Sequence, residues 1–199
     1  MKLNWAERWV VNNPLRVFQQ RLEIKWLKRM MPLEPGATIM EIGCGRGAGA
    51  KLILKEFQPS LLHVLDLDIE MILKAKNFLS SMPEETAKLY VGDSINLPFK
   101  AGAVDAVFGF GFLHHVPDWR RALSEIARVL KDGGIYYMEE LYPALYQNVV
   151  TKHILFHPEH DRFASYDLRT MLHEMNLHLL SKIELPQMGI LGVAIHSDH

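Results

Sequence analysis

Along this chain, short continuous apolar runs alternate with segments whose apolar residues recur every three to four positions. The runs Ile39-Met40-Glu41-Ile42 and residues 61–67, 88–91, 104–110 and 135–138 predict five strands. Three helical patterns lie between them: Leu52, Ile53 and Phe57; Met71, Ile72, Ala75 and Leu79; and Leu123, Ile126, Ala127 and Leu130. Strands this evenly apolar have no solvent face, so the alternation predicts a parallel sheet covered by helices on both sides. The tail differs. Residues 165–175 predict a helix with Ser165 as its N-cap. Residues 177–185 and 190–195 predict strands joined by Pro186-Gln187-Met188-Gly189, a link too short for a helix, so the two run antiparallel. The expected architecture is α/β, a doubly wound seven-stranded sheet, mostly parallel, closed by a C-terminal antiparallel hairpin.

Ahead of the first strand, Asn13-Pro14 predicts a helix start. From there Val17, Phe18, Leu22, Trp26 and Met30 form an apolar stripe, with Arg16, Lys25, Lys28 and Arg29 mostly off it, and Trp5 and Trp9 precede it. Residues 1–34 read as a helical lid and docking segment on a single domain spanning 35–199.

Composition agrees with one core: 199 residues, 49% hydrophobic, 23% charged, formal net charge −1. That near-neutral balance argues against a dedicated nucleic-acid binder. Charge is nonetheless uneven, because residues 1–31 carry seven basic and two acidic side chains, a net +5, leaving −6 for the remainder. A basic amphipathic segment suits an anionic membrane surface; a protein-facing surface is the other reading. With Cys44 as the one cysteine, no intrachain disulfide forms, which agrees with a reducing compartment. No apolar run approaches the roughly 18 residues that span a bilayer, and Glu7 and Arg8 occupy the place of a secretory core. The expected location is cytoplasmic, with peripheral membrane contact through residues 1–31; oligomeric state stays open.

The strongest local signal is Glu41-Ile42-Gly43-Cys44-Gly45-Arg46-Gly47, between the first strand and a helix. Glycines there let the backbone turn tightly and approach a ligand, and the helix N-terminus favours a carboxylate or phosphate. Gly43, Gly45 and Ala48 also satisfy the dinucleotide pattern, which keeps a nicotinamide-dependent oxidoreductase as an alternative, beside a non-catalytic cofactor-binding module. Asp66, about 20 residues beyond the glycines, is placed to bind ribose hydroxyls, while Asp68 suits the cap of the next helix. Asp93, in Gly92-Asp93-Ser94-Ile95-Asn96-Leu97-Pro98-Phe99, can accept a proton from an exocyclic amine.

These motifs, followed by V-D-A-V-F-G-F-G-F-L-H-H-V-P-D and L-S-E-I-A-R-V-L-K-D-G-G, together resemble the class I S-adenosylmethionine-dependent methyltransferases. The likeness covers roughly residues 35–140 and is closest to the small-molecule group that includes the ubiquinone and menaquinone biosynthesis enzymes. The resemblance implies a Rossmann-like fold, S-adenosyl-L-methionine as cofactor with S-adenosyl-L-homocysteine as product, and a small-molecule acceptor of lipid or quinone type. It implies that Glu41 organises the loop and meets the methionine amino group, with Gly43 and Gly45 beneath the methionine moiety. Asp66 with Leu67 would hold the ribose, Met71 would flank adenine, and Asp93 would meet the adenine amine, with the Ser94 or Ile95 backbone beside the ring. Gly109 and Phe110 would line the sulfonium end.

Candidate catalytic groups are His114, His115 and Glu139, all near the carboxyl edge of the sheet, where ligands collect. The plainer reading packs one histidine under Val116-Pro117 and uses the other to cap the helix near Asp118. Glu140 more plainly faces solvent. The quinone O-methyltransferases carry E-x-x-E-H where this chain has Gly111, His114 and His115, so no metal-assisted mechanism is expected. His153, His157 and His160 have ligand-like spacing but are broken by Pro158; a substrate-covering loop joined by Arg162 and Tyr166 is the preferred reading, and no metal is predicted. Cys44 serves as a small loop residue rather than a thiolate.

Overall fold

The computed structural model describes residues 14–146 and 162–197. Its first half alternates α1 (Pro14–Met30), β1 (Thr38–Ile42), α2 (Ala48–Phe57), β2 (Leu61–Asp66), α3 (Ile69–Phe78) and β3 (Ala87–Val91). The second half runs β4 (Val104–Phe110), α4 (Trp119–Val129), β5 (Leu130–Leu141), a short α5 (Pro143–Tyr146), α6 (Ser165–Glu174), β6 (Leu177–Leu185) and β7 (Gly189–His196).

The seven strands lie in the order β3-β2-β1-β4-β5-β7-β6. Pairings from β3 through β5 are parallel, and β7 runs antiparallel to both β5 and β6. The order reverses at β1, whose neighbours β2 and β4 leave from opposite sides, and this opens a crevice at the carboxyl ends of the strands.

Alternation along each strand sends side chains to two separate cores. Ile39, Ala106, Phe108, Ile135 and Tyr137 pack with α1, α2 and α3, where Phe108 and Tyr137 stack at 4.4 Å. Met40, Ile42, Val107, Tyr136 and Met138 pack on the other face with α4 and α6, around the buried Trp119. At about 25 cal/mol per Å² of apolar area, these two layers are the main source of stability.

Three expectations change. On the inner face of α1 Gln20, Glu23, Ile24 and Leu27 are buried and Trp26 and Met30 of the expected stripe pack partly buried beside them, whereas Phe18 and Leu22 lie outside, 61% and 54% exposed. The helix is turned so that Ile24 and Leu27 enter the core while Arg16 and Gln20 reach the crevice. Ser165 is the first residue of α6 and not its cap, because its hydroxyl bonds Tyr142 and Glu184; Asp167 accepts instead from the Ala164 amide at 2.9 Å. Finally, β5 extends past Met138 to Leu141, since Glu139, Glu140 and Leu141 pair with Leu191, Ile190 and Gly189 of β7. Among the described residues, no helix is long and apolar enough to cross a membrane.

Candidate active site

A cavity of about 430 Å³ occupies the crevice above β1, β2 and β4. Its floor is the turn after β1. The Gly43 and Cys44 amides donate to the Leu65 carbonyl at 2.9 and 3.2 Å, and the Gly45 amide donates to Asp66 Oδ2 at 2.9 Å. Gly43 adopts φ +72°, and a Cβ there would stand 2.5 Å from that of Phe112. At Gly45 a Cβ would meet nothing within 4 Å, so this backbone faces open space. The turn thus presents bare backbone to the cavity.

Glu41 sits at the back of that turn, 2% exposed. Burial, reinforced by the Asp66 charge, pushes its carboxyl up to about 8. The Ala50 amide bonds the side chain, yet Oε2 is buried without a hydrogen-bond partner among the described residues. Such an atom is costly unless something binds it. Gly49 makes the arrangement fit: a Cβ there would lie 2.0 Å from Glu41 Oε1 and 2.8 Å from Gln20 Nε2.

Asp66, at the tip of β2, accepts the Asp68 amide on Oδ1 at 2.9 Å and the Gly45 amide on Oδ2. Burial raises its pKa against those two bonds. The Leu67 amide bonds it as well, and since a carboxylate has about four acceptor positions, Asp66 keeps capacity for a ligand. Asp68 caps α3 through the Glu70 amide at 3.1 Å, as its position suggested. Leu67 and Met71 line the cavity on either side of this cap, Met71 nearly buried. Across from them Asp93 is exposed and accepts the Ile95 amide at 3.2 Å, with Ser94 buried beside it. Glu125 and Arg128 hold this loop from below: Glu125 accepts the Leu97 amide at 2.8 Å, and Arg128 donates to the Leu97 and Phe99 carbonyls at 3.0 and 2.7 Å. The Leu97-Pro98-Phe99 stretch is therefore a clamp that positions Asp93, a role its apolar letters do not announce.

The opposite end is walled by Phe110, Gly111, Phe112 and His115, together with Arg16 and Gln20 from α1. Arg16 donates to Glu23 at 2.8 Å and to Glu139 at 2.5 Å. Burial pushes Glu139 up to about 7 against the pull of that guanidinium. Glu139 itself stands behind the wall, near the position a Gly111 Cβ would take.

Of the two histidines, only His115 lines the cavity. His114 is buried with Nδ1 2.8 Å from Glu140 Oε2, and Glu140 also accepts the Leu113 and His114 amides. Glu140 is wholly buried, not turned to solvent, because β7 covers it and the histidine turn supplies its donors. Neither histidine caps α4; Asp118 does, through the Arg121 amide at 3.0 Å. Gly109 is not part of the cavity wall. A Cβ there would strike the Phe112 ring at 2.5 Å, so its smallness admits that ring instead. The Cys44 thiol is buried and raised well above its usual value, in keeping with a packing role. Trp5, Trp9, His153, His157 and His160 lie outside the described residues.

Arg16, Gln20, Glu140 and the Glu125–Arg128 pair are not marked as site residues by any sequence motif. Arg16, Gln20 and Glu23 do recur at helical spacing, which is the available signal for a polar inner face.

The residues fit an adenosine that bears an amino-acid arm: an orphaned buried carboxylate oxygen for an ammonium, open glycine backbone beside it, and two further acids along one cavity. Comparison with known proteins points the same way. Residues 40–138 match the family profile described as "Methyltransferase domain". The chain is 32% identical over 111 residues to phosphoethanolamine N-methyltransferase 2 of Caenorhabditis elegans, covering 56% of this chain and 25% of that protein. It is 31% identical over 124 residues to demethylmenaquinone methyltransferase of Listeria monocytogenes, covering 59% and 52%. The chain thus spans between a quarter and about half of the length of these curated relatives. A solved S-adenosylmethionine-dependent methyltransferase from Aquifex aeolicus shares the fold at TM-score 0.74 and 16% identity, covering 98% of this chain and 99% of that one. With the profile match running from β1 into β5 over a cavity of this chemistry, residues 40–138 form a methyltransferase domain, on the fold that solved S-adenosylmethionine-dependent methyltransferases share.

Proposed function

We propose that the protein transfers a methyl group from S-adenosylmethionine to a small-molecule acceptor of lipid or quinone type. The observation that carries this reading is the juxtaposition of Glu41, the Gly43–Gly45 backbone and Asp66 around one cavity. The relative named demethylmenaquinone methyltransferase supports the quinone type of acceptor, and the one named for phosphoethanolamine supports a small molecule. When bound, S-adenosylmethionine supplies an electrophilic methyl group on a sulfonium.

In this reading Glu41 takes the ammonium of the amino-acid arm, Gly43 and Gly45 admit that arm, and Asp66 with Leu67 receives the ribose. Met71 and Ser94 flank the base, and Asp93 accepts from its amine. Phe110 and His115 bound the space left for the acceptor. Holding donor and acceptor in contact can contribute about 7–11 kcal/mol, so positioning supplies much of the acceleration. His115 is placed to remove a proton where the nucleophile carries one. His114 and Glu139 act at one remove: Glu140 ties His114 down beneath the turn, and Glu139 aims Arg16. Residues 1–34 serve as a docking and lid segment on a domain spanning 35–199, and a lipid-like acceptor sets residues 1–31 against a membrane surface.

Calorimetry tests the cofactor first. Binding of S-adenosylhomocysteine and none of NAD is expected; the opposite result reverses the reading. Incubation with radiolabelled methyl donor and a native extract then tests catalysis. Cofactor binding without label transfer to any acceptor would leave a non-catalytic binding module.

A further inference from the structure

The face that α1 turns outward carries a pattern of its own. Leu15, Phe18 and Leu22 are 75%, 61% and 54% exposed, and their spacing of three and four residues sets them in one line along the helix. Lys25 stands two turns beyond Phe18, and Arg29 two turns beyond Leu22, so cations continue the same line. Arg21 and Lys28 are also exposed. Glu23, the one acid in this helix, is turned inward onto Arg16. Every exposed charged side chain of α1 is therefore positive, and a bulky apolar ridge lies among them.

A convex ridge of this sort offers no pocket for a protein knob, but it suits a fluid plane. Apolar side chains sink to the boundary of headgroups and acyl chains, while Lys and Arg reach the phosphates. A second copy docked along the ridge would bring no acid of its own α1 to Lys25 or Arg29, because Glu23 is turned inward. The opposite face of the same helix places Arg16 and Gln20 in the cavity wall. One helix thus separates the cavity from this surface.

We propose that the outward face of α1, through Phe18, Leu22, Lys25 and Arg29, seats on an anionic lipid bilayer and brings the cavity to an acceptor dissolved there. The delivery clause rests on the methyltransferase reading above; the seating does not.

Sedimentation of the full chain with vesicles tests it. Binding is expected to phosphatidylcholine vesicles containing about 30% phosphatidylserine, weakening as salt rises to about 0.5 M. The double substitutions Phe18→Ser/Leu22→Ser and Lys25→Glu/Arg29→Glu should each lower the bound fraction about tenfold, with S-adenosylhomocysteine affinity and melting temperature unchanged. Failure of the wild-type chain to bind these vesicles overturns the proposal, as does binding that neither pair of substitutions alters. A dimer in ultracentrifugation that Phe18→Ser/Leu22→Ser abolishes would assign the ridge to a second copy and overturn it too. A large drop in melting temperature in that variant would show the ridge packed within its own chain, and the proposal would likewise fall. Loss of S-adenosylhomocysteine binding by the wild-type chain would strike the cofactor reading alone, and the vesicle result would stand.

Discussion

Asp66 is asked to perform two tasks with one carboxylate. It braces the glycine turn through Gly45 and the start of α3 through Asp68, and it keeps lone pairs for ribose hydroxyls. Asp66→Ala should weaken S-adenosylhomocysteine binding by about 1–3 kcal/mol, the range for losing charge-assisted hydrogen bonds. Calorimetric titration checks this, and unchanged affinity would remove Asp66 from the ribose site. Asp66→Asn separates the tasks. Its amide oxygen can still accept one backbone N–H, so the turn should hold better than in the alanine variant while ribose binding still suffers.

At the scale of elements, α1 is the most instructive. Its sequence offers two apolar stripes, and periodicity alone does not say which faces inward. The structure buries Ile24 and Leu27 beside Phe57 and Tyr137, and the Tyr137 hydroxyl donates to the Met31 carbonyl at 2.7 Å just past the helix end. Ile24→Ala should therefore cost about 2–4 kcal/mol of unfolding free energy, as large-to-small core changes do. Phe18→Ala should stay within about 0.5 kcal/mol. Urea denaturation of the two variants decides between the stripes, and the reverse ranking would mean that α1 is rotated the other way. The strands posed less difficulty. Their apolar runs mark them without reference to partners, and the three-residue link between β6 and β7 leaves them no direction but antiparallel. The extension of β5 through Glu139 and Glu140 was illegible for the opposite reason. Two adjacent carboxylates enter a strand only because β7 pairs with their backbone and because Arg16 and the histidine turn receive their side chains.

The whole molecule carries a titration signature. Glu41 and Glu139 are raised by burial to about 8 and about 7, so the folded chain holds protons that the unfolded chain has already released. Where the folded state binds more protons, stability falls as pH rises. Lowered groups such as Glu184 and His63 act in the opposite direction, but their contributions lie at and below the ordinary histidine value of 6.5. Between about pH 6.5 and pH 8 the unliganded protein should lose stability, and Glu41→Gln should flatten that decline. Urea midpoints across this interval measure it; a wild-type midpoint that climbs would contradict the buried, proton-holding state of Glu41. This property was beyond the reach of the sequence. The motif gives an acid before a glycine turn, whereas its burial depends on how α1 and α2, the helices on either side of β1, close over it.

The missing side chain at position 49 couples that position to Glu41 and Gln20. A methyl group there would overlap the Glu41 carboxyl and crowd the Gln20 amide, so an alanine at 49 has to displace both side-chain ends. The double replacement Gly49→Ala/Glu41→Asp should accordingly be tolerated better than Gly49→Ala by itself, a non-additive pair in a region where neighbouring substitutions would otherwise look independent.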